Sequence, residues 1–322
     1  MKLSRITALL VCVSVVFSLF GCASTPTNEK KYVAVIAKSV NSDFFQNMKN
    51  GVDSAATEYS VKVTFEGPEN EEDYASQNRL IEKAVKNGAD AILLSAIDYR
   101  KSDEAVNDAV KNGVKVITVD SGVSSELVSQ FIGTDSRQAG DAAGKAAVSG
   151  FNKDIEICIG IVNCTEATDN VKQREQGFRE AVSGVSNAKI VAAVTAESNI
   201  ESAKSGALKL MRENPQINVL VGFNEWLTLG VGEAIRELGA AQRVRAVGFD
   251  TNVVSVSMLE TGEMDALIVQ NPFAIGYLGV KNAATLINGD QLEKRELYTS
   301  VTTVDKDNMF SDDVQKILFR FT

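Results

Sequence analysis

Two stretches of this chain share one design, and that repetition narrows the fold to a small class. The first, residues 32–56, opens with the run Val33-Ala34-Val35-Ile36, the composition of a strand buried on both faces of a parallel sheet. A polar loop at 38–43 follows. A helix pattern comes next, with Ser42 or Asp43 as its N-cap. The second copy begins with ICIGIV at 157–162, passes a polar loop at 163–170 and enters a helix at 171–182. Later segments match in order. AILLS at 91–95 parallels VLVGF at 219–223, and KVITVD at 115–120 parallels RAVGFD at 245–250, each of the last two ending in an aspartate. Short apolar runs alternating with helix patterns predict two doubly wound parallel α/β sheets. The 322 residues exceed the ~250–300 that one core usually holds, so two lobes are expected.

Composition removes several functions. The net charge of −9 argues against nucleic acid as a partner. The absence of histidine excludes a Ser-His-Asp triad, a Cys-His dyad and HExxH zinc chemistry. Of the four cysteines, Cys12 and Cys22 fall in the N-terminal segment. Cys158 and Cys164, six steps of ~3.3 Å apart if on one strand, are too distant for a disulfide and are expected to be inert. No metal-ligand spacing occurs.

The N-terminus reads as a targeting segment. Lys2 and Arg5 precede an apolar run at 6–20, short of the ~20 residues a membrane span needs. The run ends in Leu19-Phe20-Gly21-Cys22, which resembles a bacterial lipobox, with Phe20 departing from the small residue usual there. Residues 1–22 are therefore expected to be a lipoprotein signal with Cys22 lipidated, and 23–31 a tether. An uncleaved signal anchor is the alternative.

Along the chain, a strand is expected at 61–65, then a helix capped by Asn70 and stopped by Gly88. A strand at 91–95, a helix capped by Ser102, a strand at 114–120, a strand at 128–133 and a helix at 136–149 follow. The second unit spans 154–270, with helices near 200–214 and 228–238 and a last strand at 266–270. The helix at 273–288, opened by Asn271-Pro272, has no counterpart in the repeat. A strand-like stretch at 297–304 and a short amphipathic tail end the chain.

In open α/β sheets ligands bind at the carboxyl ends of strands. Those ends carry Asn41, Ser42, Phe44, Phe45, Ser95, Asp98 and Asp120 in the first unit, and Asn170, Arg174, Asn224, Trp226 and Asp250 in the second, with Gln270 at a connection. Carboxylates, a guanidinium and amides suit vicinal hydroxyls, and aromatic faces suit a sugar ring. Each has a plainer reading. The aspartates can cap turns, Arg174 can pair with Glu175 or Glu180 on the surface, Asn224 can be an N-cap, and Trp226 and the Phe44-Phe45 pair can be packing.

The segments AVIAKSVNSDFFQNMKNGV, KVITVDS, FIGTDSRQAG, REQGF, VLVGFNEWLTLGVGEAI, VRAVGFDTN and LIVQNPFAIGYLGV resemble the periplasmic-binding-protein type I family, in particular solute-binding proteins of ribose/galactose-type ABC importers. The resemblance spans about residues 31–304. It implies two lobes joined by a three-strand hinge, with crossings near Thr134, Gln270 and Ser300. The N-terminal lobe would be 32–134 and 271–300, and the C-terminal lobe 135–270 and 301–322. Ligand positions carried over are Ser42, Phe44, Phe45, Asp120, Arg174, Asn224, Asp250 and Gln270, beside Asn170. Asp120-Ser121 stands where ribose binders have Asp-Arg, so Ser121 is a candidate that lacks the guanidinium. The aromatic expected near Ser198 is absent, and Trp226 is its candidate substitute. GPENEED at 67–73 is similar to relatives that bind rhamnose or a furanosyl autoinducer.

The implied function is capture of a monosaccharide or polyol for an ABC permease by a monomeric, lipid-anchored protein outside the cytoplasm, without cofactor or catalysis. With no histidine and both aspartates ionised, affinity for a neutral sugar is expected to be flat from about pH 5.5 to 8. A sensor module for a chemoreceptor or histidine kinase is the nearest alternative. A repressor of the same core would need a helix-turn-helix where the signal segment lies. An enzyme would rest on Gly230-Val231-Gly232, which lacks the third glycine of a dinucleotide motif.

Overall fold

The computed structural model describes residues 30–164 and 168–318. The expected signal segment at 1–22, its lipidated Cys22 and most of the 23–31 tether lie outside the described residues. The first lobe is built from β1 (Tyr32–Ile36), α1 (Asp43–Glu58), β2 (Lys62–Glu66), α2 (Tyr74–Lys86), β3 (Ala91–Leu94), α3 (Asp103–Lys111), β4 (Lys115–Val119) and β5 (Gln130–Thr134). The second holds α4 (Ser136–Val148), β6 (Ile157–Asn163), α5 (Asp169–Ser183), β7 (Ala188–Thr195), α6 (Ile200–Glu213), β8 (Val219–Gly222), α7 (Glu225–Glu237), β9 (Arg245–Phe249), α8 (Val253–Thr261) and β10 (Ala266–Val269). The chain then returns through α9 (Pro272–Ile287) and β11 (Glu296–Thr299) to the first lobe, and ends with β12 (Thr302–Asp305) and α10 (Asp312–Leu318) in the second.

Each lobe is a six-stranded sheet, in the orders β11-β5-β4-β3-β1-β2 and β12-β10-β9-β8-β6-β7. All pairings are parallel except β12 against β10. The central strands are buried on both faces. Val33, Val35, Ala91 and Leu93 pack on one side of the first sheet, and Ala34, Ile36, Ile92 and Leu94 on the other. This is the period-two consequence of covering a parallel sheet with helices on both sides.

Several local expectations need correction. Asn70 caps only a turn, accepting from the Glu72 amide at 3.1 Å, and α2 begins after Asp73, whose carboxylate accepts from the Ser76 amide at 2.8 Å. The strand-like stretch at 297–304 is two strands, β11 and β12, in different sheets. The sequence reading missed β7 and α8 altogether. The helix at 273–288 does have a counterpart: α9 packs on α1 as α4 packs on α5. Both contacts need glycine, since a Cβ at Gly51 would lie 2.0 Å from the Phe273 carbonyl oxygen and one at Gly140 2.0 Å from that of Arg174.

The carboxyl ends of both sheets face the cleft between the lobes. The chain passes from one sheet to the other after β5, after β10 and between β11 and β12.

Candidate functional site

Short loops at the strand ends aim polar side chains into that cleft. From the first lobe come Lys38 beyond β1, Ser42, Phe44 and Phe45 at the start of α1, Glu71 before α2, and Asp120 beyond β4. The second lobe brings Asn170 and Arg174 on α5, Asn224 and Glu225 at the start of α7, Asp250 beyond β9 and Gln270 beyond β10. They enclose a cavity of about 30 Å³.

The lobes meet across it through named hydrogen bonds. Ser42 Oγ donates to Glu225 at 2.6 Å, and the Phe44 amide donates to the same oxygen at 3.3 Å. Asn170 Nδ2 donates to Asp120 at 3.1 Å. On the rim, Glu71 accepts from Ser198 Oγ at 3.2 Å and Trp226 Nε1 at 3.3 Å, while Glu72 accepts from the Ser198 amide at 3.0 Å.

Two cations sit among the carboxylates. Lys38 Nζ lies 2.8 Å from Asp120, with both side chains buried. Arg174, 2% exposed, rests its guanidinium 4.8 Å over the Phe249 ring and donates from Nη1 to the Phe223 carbonyl at 2.8 Å. Its Nε and Nη2 have no partner among the described residues, nor does Gln270 Oε1. Unpaired buried donors and acceptors are costly, so a cleft that holds three of them is organised for a polar guest.

The profile of the periplasmic binding protein domain matches residues 33–291 of this chain. The chain belongs to that family. Among its relatives is a D-ribose/D-allose-binding protein of Pseudomonas aeruginosa, 26% identical over 91% of this chain and 92% of that protein. The structure of a carbohydrate transporter solute binding protein from Agrobacterium radiobacter, in complex with D-arabinose, superposes with a TM-score of 0.87. It is 26% identical and the match covers 91% of this chain and all of that one. A sugar transporter structure from Clostridium phytofermentans is 34% identical, with a TM-score of 0.78, over 86% of this chain and all of that one. These relatives are transport proteins rather than enzymes.

Within this periplasmic binding protein, the sequence candidates divide by geometry. Ser42, Phe44, Phe45, Asp120, Asn170, Arg174, Asn224, Asp250 and Gln270 line the enclosed cavity. Ser121 and Trp226 do not. The Ser121 hydroxyl donates to the Ala96 carbonyl at 2.5 Å, and the Trp226 ring is half-buried on the rim against Glu71. Ser95 supports Asp120 at 2.8 Å, whereas Asp98 accepts from the Arg100 and Lys101 amides and Asn41 is exposed against the Glu69 carbonyl.

Some plain readings hold alongside the site readings. Phe44 and Phe45 stack edge to face at 5.2 Å, belong to the core and also wall the cavity. Asn224 caps α7 by accepting from the Leu227 amide at 2.9 Å. Arg174 is no surface ion pair: Glu175 pairs with Arg179 and Glu180 with Arg137.

Sequence reasoning missed Lys38, Glu71 and Glu225. Lys38 stood at a strand end and Glu71 in the GPENEED segment, but a charge in a polar loop reads as solvated until the opposite lobe is known. Glu225, in the first turn of α7, reads as a favourable helix-dipole charge. Ser42 makes no side-chain cap to α1 because its hydroxyl is committed to Glu225.

The two aspartates titrate differently. Burial pushes Asp120 up, but Lys38 and Arg174 outweigh it and hold the carboxyl below its usual range. Burial pushes Asp250 up to about 7, with Arg174 opposing only in part. Burial likewise raises Glu71, opposed by Lys38. The expectation that both aspartates stay ionised across neutral pH therefore fails for Asp250. Cys158 and Cys164 are free and buried, and burial pushes Cys164 up to about 12, far from a reactive thiolate.

Proposed function

We propose that this protein captures a monosaccharide or sugar-like polyol between its lobes and delivers it to the permease of an ABC importer. The observation that carries the reading is the cleft's polar set: Asp120, Asp250, Asn170 and Asn224 from two lobes, with Arg174 and Gln270 holding unpaired buried atoms. Vicinal hydroxyls donate to carboxylates and accept from a guanidinium at once, which is the match such a set requires. The named ligands of its relatives, ribose, allose and arabinose, are of this class.

The enclosed space is close to the ~30 Å³ share of one water molecule, so admission of a sugar requires the lobes to part about the three crossings. A deoxysugar or furanose is the second reading, because the segment at 67–73 is similar to relatives that bind rhamnose or a furanosyl autoinducer and brings Glu71 to the cavity.

A thermal-shift panel of pentoses, hexoses, deoxysugars and polyols tests this, because binding raises apparent stability by mass action. Calorimetry on the responding sugar should then give an affinity that Arg174→Met weakens by ~2–4 kcal/mol. No response across the panel, with the protein folded, would refute sugar capture.

Anchoring outside the cytoplasm through lipid on Cys22 belongs to the same proposal and rests on the Leu19-Phe20-Gly21-Cys22 motif. Metabolic labelling with a palmitate analogue should mark the wild type and not Cys22→Ala. Equal labelling of both would remove the anchor.

A further inference from the structure

The enclosed cavity accounts for only part of the space around Asp120 and Asn170. The same two residues border a second cavity, of about 860 Å³, beside the crossing from β5 to α4. Its size lies within the ~300–1,000 Å³ of small-molecule pockets, whereas the enclosed cavity is far smaller.

Its lining has the make-up of a saccharide subsite. Tyr99, Phe131 and Tyr298 supply aromatic surface, with Phe131 and Tyr298 edge to face at 6.1 Å. Tyr298 is 50% exposed on the edge strand β11, so its ring presents a free face to the cavity side of the sheet rather than filling a core. Thr134, 2% exposed and lining the same cavity, has a hydroxyl with no partner among the described residues. Across from them α5 contributes Gln173, whose amide donates to Asp169 at 2.7 Å. Aromatic faces for C–H surface and a buried hydroxyl without a partner are what a sugar ring takes.

We propose that this cavity is a second sugar subsite, so that the ligand class extends to two-ring glycosides. The terminal ring lies at Asp120 and Asn170 in the cleft, and the next ring lies on the Phe131–Tyr298 surface with a hydroxyl at Thr134. Asp120 and Asn170 line both cavities and meet between them through their 3.1 Å hydrogen bond, which a ligand spanning the two positions replaces when the lobes part. The inference rests on the sugar-binding reading above and adds the length of the ligand to it.

The test uses the full chain and matched probes: free pentoses and hexoses, each with disaccharides that carry the same sugar at the non-reducing end. Calorimetry should give a disaccharide affinity about tenfold above that of its free sugar. Tyr298→Ala and, separately, Thr134→Val should remove the gain while the free-sugar affinity stays within about twofold. Tyr298 is exposed, so its substitution leaves the fold intact. A disaccharide that binds no more tightly than its free sugar, or a gain that survives both variants, overturns the subsite and leaves sugar capture standing. Silence toward every saccharide, single or double, overturns both.

Discussion

Asp120 and Asp250 occupy equivalent points of the two lobes, and both adopt left-handed backbone, with φ of 62° and 66°. Their amides make equivalent bonds, Asp120 to the Ile132 carbonyl at 2.9 Å and Asp250 to that of Ile268 at 3.0 Å. Aspartate tolerates this region better than most side chains, and such strain collects at functional sites. The turn lifts each carboxylate out of its strand and into the shared cavity. Equivalent backbones then meet unequal surroundings: Asp120 has Lys38 at 2.8 Å, and Asp250 has the neutral Gln270 amide at 2.7 Å.

Asp250 should make stability fall with rising pH. Its carboxyl is raised from 3.8 to about 7 in the folded protein, so the folded state binds more protons than the unfolded one between those values. Its favourable contribution is complete below about pH 4 and is lost as pH rises through about 7. Asp250→Asn should flatten that slope, by on the order of 1–4 kcal/mol between pH 5 and 8. Urea melts of both proteins at the two pH values measure it, and parallel slopes would count against the buried carboxyl.

Sugar affinity should move the opposite way. Hydroxyls donate to the ionised carboxylate, so binding draws the proton from Asp250 and tightens as pH rises from 6 to 8. Calorimetry in buffers of different ionisation enthalpy should show proton release near pH 6.5. An affinity constant across the range, with no proton released, would mean that Asp250 is ionised throughout or makes no ligand contact.

Lys38→Met should destabilise the protein, by up to ~3–5 kcal/mol, because buried Asp120 loses its 2.8 Å countercharge and keeps only Arg174. Adding Asp120→Asn should restore part of the loss. A double-mutant cycle by chemical denaturation tests the pair, and additive losses would show no coupling.

Glu225 ties the lobes by accepting from Ser42 Oγ at 2.6 Å and from the Phe44 amide at 3.3 Å, while Asn252 Nδ2 of its own lobe donates to its other oxygen at 2.8 Å. Glu225→Ala removes a charged acceptor worth ~1.5–3 kcal/mol per bond and should shift the population toward parted lobes. Small-angle scattering should report a larger radius of gyration for the variant than for the wild type in sugar-free buffer. An unchanged radius would assign closure to other contacts.

Gly140→Ala should cost ~1–3 kcal/mol by overpacking α4 against α5. Because the clash is with the Arg174 carbonyl, the variant should also weaken sugar binding. Calorimetry on folded Gly140→Ala protein separates the two effects, and unaltered affinity would mean that Arg174 keeps its place.

The sequence by itself determined the doubly wound plan, the repeat and most of the cleft. Buried parallel strands require continuous apolar runs, as at 33–36 and 157–162, and strand ends must then carry the ligand-facing polar groups. It could not find β7, an edge strand in which no residue is fully buried, so no core-facing pattern marks it. Nor could it find α8, where the β-branched VVSV favours a strand and a capping box from Asn252 and Ser255 imposes a helix. Only the tertiary structure made Lys38, Glu71 and Glu225 cleft residues, because their partners lie 82, 155 and 183 positions away or on the opposite lobe. Only the fold, too, gave Asp120 and Asp250 different ionisation, since burial and neighbouring charge are set by what packs around a strand end and not by the residue that ends it.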